Sequence, residues 1–460
     1  MSFSRRFKPR RRGQASEFDN LAHSLSILVL NQRWFVDELR ARGHRVVFAG
    51  HERKTPDVLL RRSPGYNIET LLDELPSGFK PDRIIYHDDS APLMLAGFEK
   101  VTIPTLFYSI DSHHHIGWHA HFALAFDCVL VAQRNYLEKF QSTHSNAHWF
   151  PLWAPELVEP NYPKTIGVSF RGNLNPKLHP KRAKFFEKLK QLVALDLQVG
   201  RYADTYARSK IVINQAVKDD INFRTFEAII CGALLITPEV GTGLSELFCP
   251  GRDLITYRPG DVDEAAQKIR YFLAHDDERE NIAQSGRAQV LRYHTAACRA
   301  EQLEALLLDL KCGPRPMKHL GMVFTLLTSG KTWGKLSPDF AARFYRLAGK
   351  QLLHSAANNE LVGKMFQSAV ILCKHHLESI GCNEESQQLI EQVRELCPGD
   401  SIVGLSHIES LLARGEHQRA FEVAASFSSV PAEVLKQAPS IMEQIRKEIL
   451  PVTRSAQGEG

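Results

Sequence analysis

Two acids eight positions apart, Asp219 and Glu227, bracket the stretch Asn222-Phe-Arg-Thr-Phe-Glu-Ala-Ile-Ile-Cys-Gly-Ala-Leu-Leu-Ile-Thr-Pro238. If the residues between them are helix or helix entry, the acids lie about two turns apart. A carboxylate at Glu227 can accept hydrogen bonds from a ribose diol, and the turn after the next strand can receive a diphosphate. The pattern points to a nucleotide-sugar site. That turn carries Gly241, Thr242 and Gly243, and glycines let backbone amides approach an anion closely. The competing reading is an ordinary strand-to-helix turn. Arg171, Lys210 and Arg224 fall near strand ends or inside the motif. Fixed cations there would stabilise the charge growing on a departing diphosphate, with Arg224 the first candidate and Arg171 the second. Each is equally readable as a structural or surface cation.

A second group could move protons. Tyr108 to His121 contains Asp111, His113 and His115 just after a run that reads as a strand. A histidine or aspartate at that edge can serve as general base towards a hydroxyl. Asp88 and Asp89, behind the apolar run Ile84 to Tyr86, compete for the role. The alternation of Asp111, His113 and His115 also suits a divalent metal. The plainest reading is a polar loop whose histidines cap helices.

Elements must hold these groups. Phe223, Phe226 and Ile230 recur three and four apart, which predicts a helix that stops at Gly232. The apolar run from Ala233 to Ile236 suits a buried parallel strand. Upstream, 25–30, 45–49, 84–86, 105–110 and 128–132 read as strands, with a helix at 33–42 ending on Gly43. Downstream, 166–170, 195–199, 210–214 and 254–257 read as strands, with helices at 180–191, 261–274 and 277–293. Strand alternating with helix implies parallel sheets covered on both faces. Between the two blocks, Pro151, Pro155, Pro160 and Pro163 hold a linker extended. From about 313 the strand signal vanishes and amphipathic helical spacing takes over.

Several fragments over residues 205–303 carry a family likeness. They are Tyr-Ala-Arg-Ser-Lys-Ile-Val-Ile-Asn (206–214), Asn-Phe-Arg-Thr-Phe-Glu-Ala (222–228) and Cys-Gly-Ala-Leu-Leu-Ile-Thr (231–237). Leu-Ser-Glu-Leu-Phe (244–248) and Tyr-His-Thr-Ala-Ala-Cys-Arg-Ala-Glu-Gln-Leu (293–303) follow in order. Together they resemble the C-terminal half of a GT-B glycosyltransferase of the glycosyltransferase 1/4 superfamily, in its spore-maturation (CgeB-type) group. The resemblance implies two Rossmann-like doubly wound domains with the ligand in the cleft between them. It aligns Glu227 with the second acid of the family's Glu-x7-Glu signature, which binds the donor ribose. Asp219 falls at the first acid, one methylene shorter than the usual glutamate. The 241–243 loop would face the donor diphosphate. The glycine-rich loop common after the first strand is missing, because Leu30 runs into Asn31-Gln32-Arg33. The stretch Cys397 to Phe421 resembles one tetratricopeptide unit, with Gly415 at the turn and Ala420 at the close-packed position.

Composition bounds the rest. The 460 residues allow two to four domains, and 43% hydrophobic with 24% charged residues is ordinary for a soluble protein. Eight cysteines without a C-x-x-C pair argue against a zinc ribbon or disulfide framework and fit a reducing cytosol. No apolar run approaches a membrane span, and no signal peptide is legible. Net charge is +5, yet Arg5, Arg6, Lys8, Arg10, Arg11 and Arg12 supply six positive charges, so the remainder is slightly negative. That tail reads as solvated and disordered, or as a contact for an anionic membrane surface; a nucleic-acid partner is not expected.

The expected organisation is a basic tail (1–19), an acceptor-side Rossmann-like domain (20–155) and a nucleotide-sugar-binding domain (164–303). An all-α domain (313–450), tetratricopeptide-like by that resemblance, completes it and could dock a protein partner. The expected activity is sugar transfer from a nucleotide-sugar donor to an unidentified acceptor, cytoplasmic and without metal or other cofactor. A nucleotide-sugar epimerase, or a degenerate transferase acting as an interaction protein, are the alternatives.

Overall fold

The computed structural model describes residues 24–426, apart from 62–65, 91–92, 94, 156–161, 316 and 359–362. The basic tail, part of the proline linker and the end of the helical region therefore lie outside the described residues.

The first sheet has seven parallel strands in the order Val58–Leu59, Arg45–Gly50, Ser26–Asn31, Arg83–His87, Thr105–Ser109, Cys128–Val131 and Ala147–Trp149. The interior strand Ser26–Asn31 shows why the runs fold this way. Ile27 and Val29 point to one face, Leu28 and Leu30 to the other, and all four are fully buried. Burial of each such side chain contributes roughly 1.5–3 kcal/mol, so a run apolar on both faces is stable only between two layers. The two layers differ. Leu28 and Leu30 share a core with Leu320, Val323 and Leu327 of the C-terminal helices. Ile27 and Val29 share one with Phe226, Ile229 and Leu235 of the second domain.

The second sheet has five parallel strands, ordered Asp196–Gln198, Ile166–Arg171, Ser209–Ile213, Leu234–Pro238 and Ile255–Tyr257. In each sheet the chain order reverses direction once. The reversal falls beside Ser26–Asn31 in the first sheet and beside Ile166–Arg171 in the second. Such reversal points open crevices at the strands' C-terminal ends. After the helices Val262–Ala274 and Asp276–Tyr293, Thr295 caps the helix Ala296–Asp309 by accepting the Cys298 amide. That helix returns to the first domain, where Glu304 binds Arg42 and His44. Buried Arg299 donates to the carbonyls of Pro151 and Leu152, fastening the linker.

The strands and helices expected from periodicity occur, with ends displaced by up to three residues, the largest shift being the helix expected from 33, which begins at Val36. The architecture is α/β with two Rossmann-like domains in the GT-B arrangement and a helical region behind the first. The turn after the first strand needs no glycine, because Asn31 itself takes the left-handed conformation (φ 70°), which asparagine tolerates better than most residues. The helical region comprises Lys318–Trp333, Pro338–Ala357, Lys364–Ser379, Asn383–Leu396, Ser401–Ala413 and His417–Ala425. Gly415, at φ 74°, turns the last pair.

One segment corrects the sequence reading. Tyr108 to His121 is not a loop: Ser112–Phe122 is a helix lying between the first sheet and Lys318–Trp333. Its histidines hid the amphipathic pattern, because His119 is buried as part of the core face.

Candidate functional site

Four adjacent strands of the first sheet end at one cavity of about 190 Å³. Its wall takes Gln32 and Trp34 after the first strand, Asp88, Asp89 and Ser90 after Arg83–His87, Asp111 and His113 after Thr105–Ser109, and Gln133 after Cys128–Val131. Asp220, Asn222 and Phe223 close it from the second domain. The cavity is therefore an interdomain cleft, lined by carboxylates, amides, one imidazole and two aromatic rings.

Asp88 organises the first-domain wall. Its carboxylate accepts the amide of Ser90 at 2.8 Å and that of Asp111 at 3.0 Å, tying two strand ends together. The Ser90 hydroxyl then donates to the Asp111 carboxylate. Behind Asp88 stands His119, 0% exposed, with Nε2 at 3.6 Å from the carboxylate and Nδ1 at 2.8 Å from the Ser109 hydroxyl. Burial pushes the Asp88 carboxyl up, against its amide donors, and pushes the His119 imidazole well down. A carboxylate raised in this way is a stronger base than an exposed one.

His113 sits in the first turn of Ser112–Phe122, nearly buried, and its Nδ1 has no hydrogen-bond partner among the described residues. Burial lowers its pKa, opposed chiefly by the charge of Asp220. Burial alone would raise Asp220, but His113 and the amides of Val217 and Lys218 hold it below the ordinary carboxylate range. Asp89 faces His51 at 3.7 Å. His115 does not join the cavity. On a helix, residues two apart point to nearly opposite sides, so His113 faces the cleft while His115 turns towards His119, ring centroids 5.3 Å apart. Alternate spacing would converge on a metal only in an extended segment. Among the described residues no group of three or more His, Cys, Asp or Glu could hold one.

The second domain presents the helix Phe223–Ile230. Thr225, Phe226 and Ala228 to Ile230 are buried, leaving Asn222, Phe223, Arg224 and Glu227 on the half-open side. Its N-terminal end, through Asn222 and Phe223, opens on the cleft. Glu227 lies one turn further; Tyr206 nearby is pushed up first by its burial, with Arg224 opposing and the charge of Glu227 adding a smaller push. Arg224 grips the end of the neighbouring strand: Nε and Nη2 donate to the Arg171 carbonyl at 3.0 and 2.7 Å, Nη1 to Asn214 at 2.8 Å. Its guanidinium also stacks on Phe170, 4.2 Å from the ring centroid.

Four expected donor-site groups are engaged elsewhere. Arg171 is buried, with its guanidinium on the Asp196 carboxylate at 2.8 Å and on the Thr205 hydroxyl at 3.0 Å. It is a structural clamp. Lys210 pairs with Asp276 at 3.1 Å and lies at the N-terminal end of Ser209–Ile213, the end of a parallel sheet away from the cleft. The Gly241–Gly243 loop is an interdomain seam. Thr242, fully buried, donates to Asn135 at 2.8 Å, and a Cβ on Gly243 would meet Trp149 at 2.8 Å. Asp219, exposed and left-handed at φ 58°, accepts the Gly241 amide at 2.9 Å and borders a different cavity.

Counting eight residues back from Glu227 thus reaches the wrong member of an Asp-Asp pair; Asp220, 6% exposed, is the acid in the cleft. The missed residues are Asp220, Ser90 and Gln133, whose amide exchanges hydrogen bonds with both backbone groups of Ile221 at 2.9 and 3.0 Å. No spacing signal marks them, since all act at loop ends.

The fold, two Rossmann-like parallel sheets with a cleft at the C-terminal ends of the first sheet's strands, is of the GT-B type. Residues 166–305 match the family described as glycosyl transferase-like. No curated protein sequence matches the chain. Solved structures that overlap it include a glycosyltransferase from Rickettsia africae, at 12% identity over 62% of this chain and 99% of that one, TM-score 0.46. HepE from Anabaena, in complex with UDP and glucose, matches at 13% over 62% and 100%, TM-score 0.46. Sucrose-phosphate synthase from Thermosynechococcus elongatus matches at 13% over 61% and 97%, TM-score 0.44. No helix among the described residues is long and apolar enough to cross a membrane.

Proposed function

We propose that this protein is a hexosyltransferase-like glycosyltransferase, moving a sugar from a nucleotide-sugar donor to an acceptor hydroxyl. The observation that carries the reading is the cleft. A glycosyl transferase-like segment supplies Asp220, Asn222 and a helix N-terminus on one side, and Asp88, Asp89, Asp111 and His113 stand on the other. Asp111, Asp89 or His113 takes the proton of the acceptor hydroxyl. The hydroxyl oxygen bonds to the anomeric carbon, and the bond from that carbon to the diphosphate breaks with its electron pair leaving on phosphate oxygen. The N-terminus of Phe223–Ile230 offers amides and the positive end of a helix dipole to that growing charge. Glu227 accepts the ribose hydroxyls, and Arg224 adds positive charge beside it. No metal or other cofactor enters this scheme. The acceptor is a glycan, a lipid-linked glycan or a protein. The reading places the enzyme in the cytoplasm, with the basic tail touching an anionic membrane and the helical region available to a protein partner.

The test is thermal denaturation with UDP, GDP, dTDP and ADP sugars. A ligand at a hundred times its Kd adds roughly 2.7 kcal/mol of stability, enough to move the melt. One nucleotide should shift wild type, and Glu227→Ala should abolish that shift relative to its own unliganded Tm. If no nucleotide shifts the melt, the transferase reading fails.

A further inference from the structure

A second cavity, about 460 Å³, lies wholly within the second domain and shares no wall residue with the cleft. The chain from Gln215 to Phe223 is the partition between them. Gln215, Ala216, Val217 and Asp219 face the outer cavity, and Asp220 to Phe223 face the cleft. The partition is firmly held. Asp220 accepts the amides of Val217 and Lys218 at 2.8 and 3.2 Å, buried Arg182 donates to the Gln215 carbonyl at 2.9 Å, and Asp219 holds the Gly241 amide.

One wall of the outer cavity is cationic. Lys181, Lys184 and Lys188 line it from the helix Pro180–Leu192. Steps of three and four residues set them in one row, about 10 Å long at the helical rise. All three are exposed, and none has an ion-pair partner among the described residues. The lining also carries two exposed carboxylates, Asp219 and Glu239, and the apolar side chains of Phe185, Val217 and Pro238. Gln215 adds a fixed polar group, its amide oxygen 2.7 Å from the Tyr257 hydroxyl. The lysines come from the helix Pro180–Leu192 and the carboxylates from loops that follow two strands, so the lining offers two kinds of recognition on different elements. The cations suit a phosphate, whereas the carboxylates accept hydrogen bonds from hydroxyls and repel a second anion.

We infer that the outer cavity is a binding site for a phosphorylated sugar, its phosphate on the lysine row and its hydroxyls on Asp219 and Glu239. The assignment is independent of the transferase reading, because none of these residues belongs to the cleft. A free hexose phosphate is the simplest ligand of this chemistry, and a nucleotide-sugar reaching across the partition would be the other source.

Isothermal titration with glucose 1-phosphate, inorganic phosphate, glucose and UDP-glucose tests it. Glucose 1-phosphate should bind more tightly than phosphate or glucose alone, with affinity falling as salt rises. The triple variant Lys181→Ala/Lys184→Ala/Lys188→Ala should weaken glucose 1-phosphate roughly tenfold or more, at unchanged Tm. Asp219→Asn should leave inorganic phosphate binding intact and reduce the preference for the sugar. UDP-glucose, if it binds wild type, should bind the lysine variant equally. The inference is overturned if glucose 1-phosphate fails to bind, or if the lysine variant binds it as wild type does. Joint loss of UDP-glucose and glucose 1-phosphate in that variant would also overturn it, making the cavity part of the donor site. A protein that binds no nucleotide removes only the UDP-glucose arm.

Discussion

Asp219 and Asp220 are chemically identical neighbours with opposite surroundings: one exposed beside the outer cavity, the other buried in the cleft. The left-handed backbone at Asp219 turns the chain between them and sends the two carboxylates apart. Burial also sets the acid sensitivity of the protein. His87 and His294 are both pushed down to about 4 by burial, each against a hydrogen bond that favours the charged form. Their unfolded value is about 6.5, so as pH falls the unfolded chain binds protons first. These groups cost no stability above about pH 6.5. Each removes about 2 kcal/mol by pH 5, with the loss complete only below about pH 4. Urea midpoints should therefore fall clearly between pH 7.5 and 5, and His294→Gln should flatten the slope. An unchanged slope in that variant would mean His294 is solvated in the native state. Glu227 was legible in the sequence because it sits inside a periodic helix. Asp88, Ser90 and Asp220 were not, since nothing in a loop residue's neighbours encodes where its side chain points.

Elements were legible where burial is one-sided and periodic. The strands of both sheets are unbroken apolar runs, and Phe223–Ile230 shows its face through Phe223, Phe226 and Ile230. Ser112–Phe122 was not read as helix because its buried positions are Ser112, His113, Trp118, His119 and Phe122. Polar residues in a core hide the period that would reveal the helix. This helix is also where the helical region attaches. A Cβ on Gly321 would lie 2.4 Å from the His121 carbonyl and 2.7 Å from the Leu124 Cβ. Alanine gains about 1 kcal/mol of helix propensity over glycine, but overpacking against a backbone carbonyl costs about 1–3 kcal/mol. Gly321→Ala should therefore lower the Tm and speed proteolysis between 310 and 320. A stabilised variant would show that the two helices can separate without cost.

At the scale of the whole molecule, the domains are joined by backbone-like pairing. Gln133 exchanges two hydrogen bonds with Ile221, and Thr242 bonds to Asn135 across the same seam. Removing the amide leaves two buried backbone groups unpaired, at about 1–3 kcal/mol each. Gln133→Ala should cost about 2 kcal/mol or more in chemical denaturation, because Ile221 is buried at the seam. It should also weaken any cleft ligand, because Ile221 follows Asp220. A full-strength ligand with lowered stability would separate the seam from the site. Periodicity, apolar runs and ordered motif fragments were enough to specify two parallel sheets, a helical third region and the motif helix, because burial on a known face leaves a local pattern. Which carboxylate enters the cleft, that Arg171 and Lys210 are bound elsewhere, and that the glycine loop is a seam were settled only by tertiary contacts. Those assignments depend on partners as many as 109 residues apart, as Thr242 is from Gln133, and no local spacing records such a pairing.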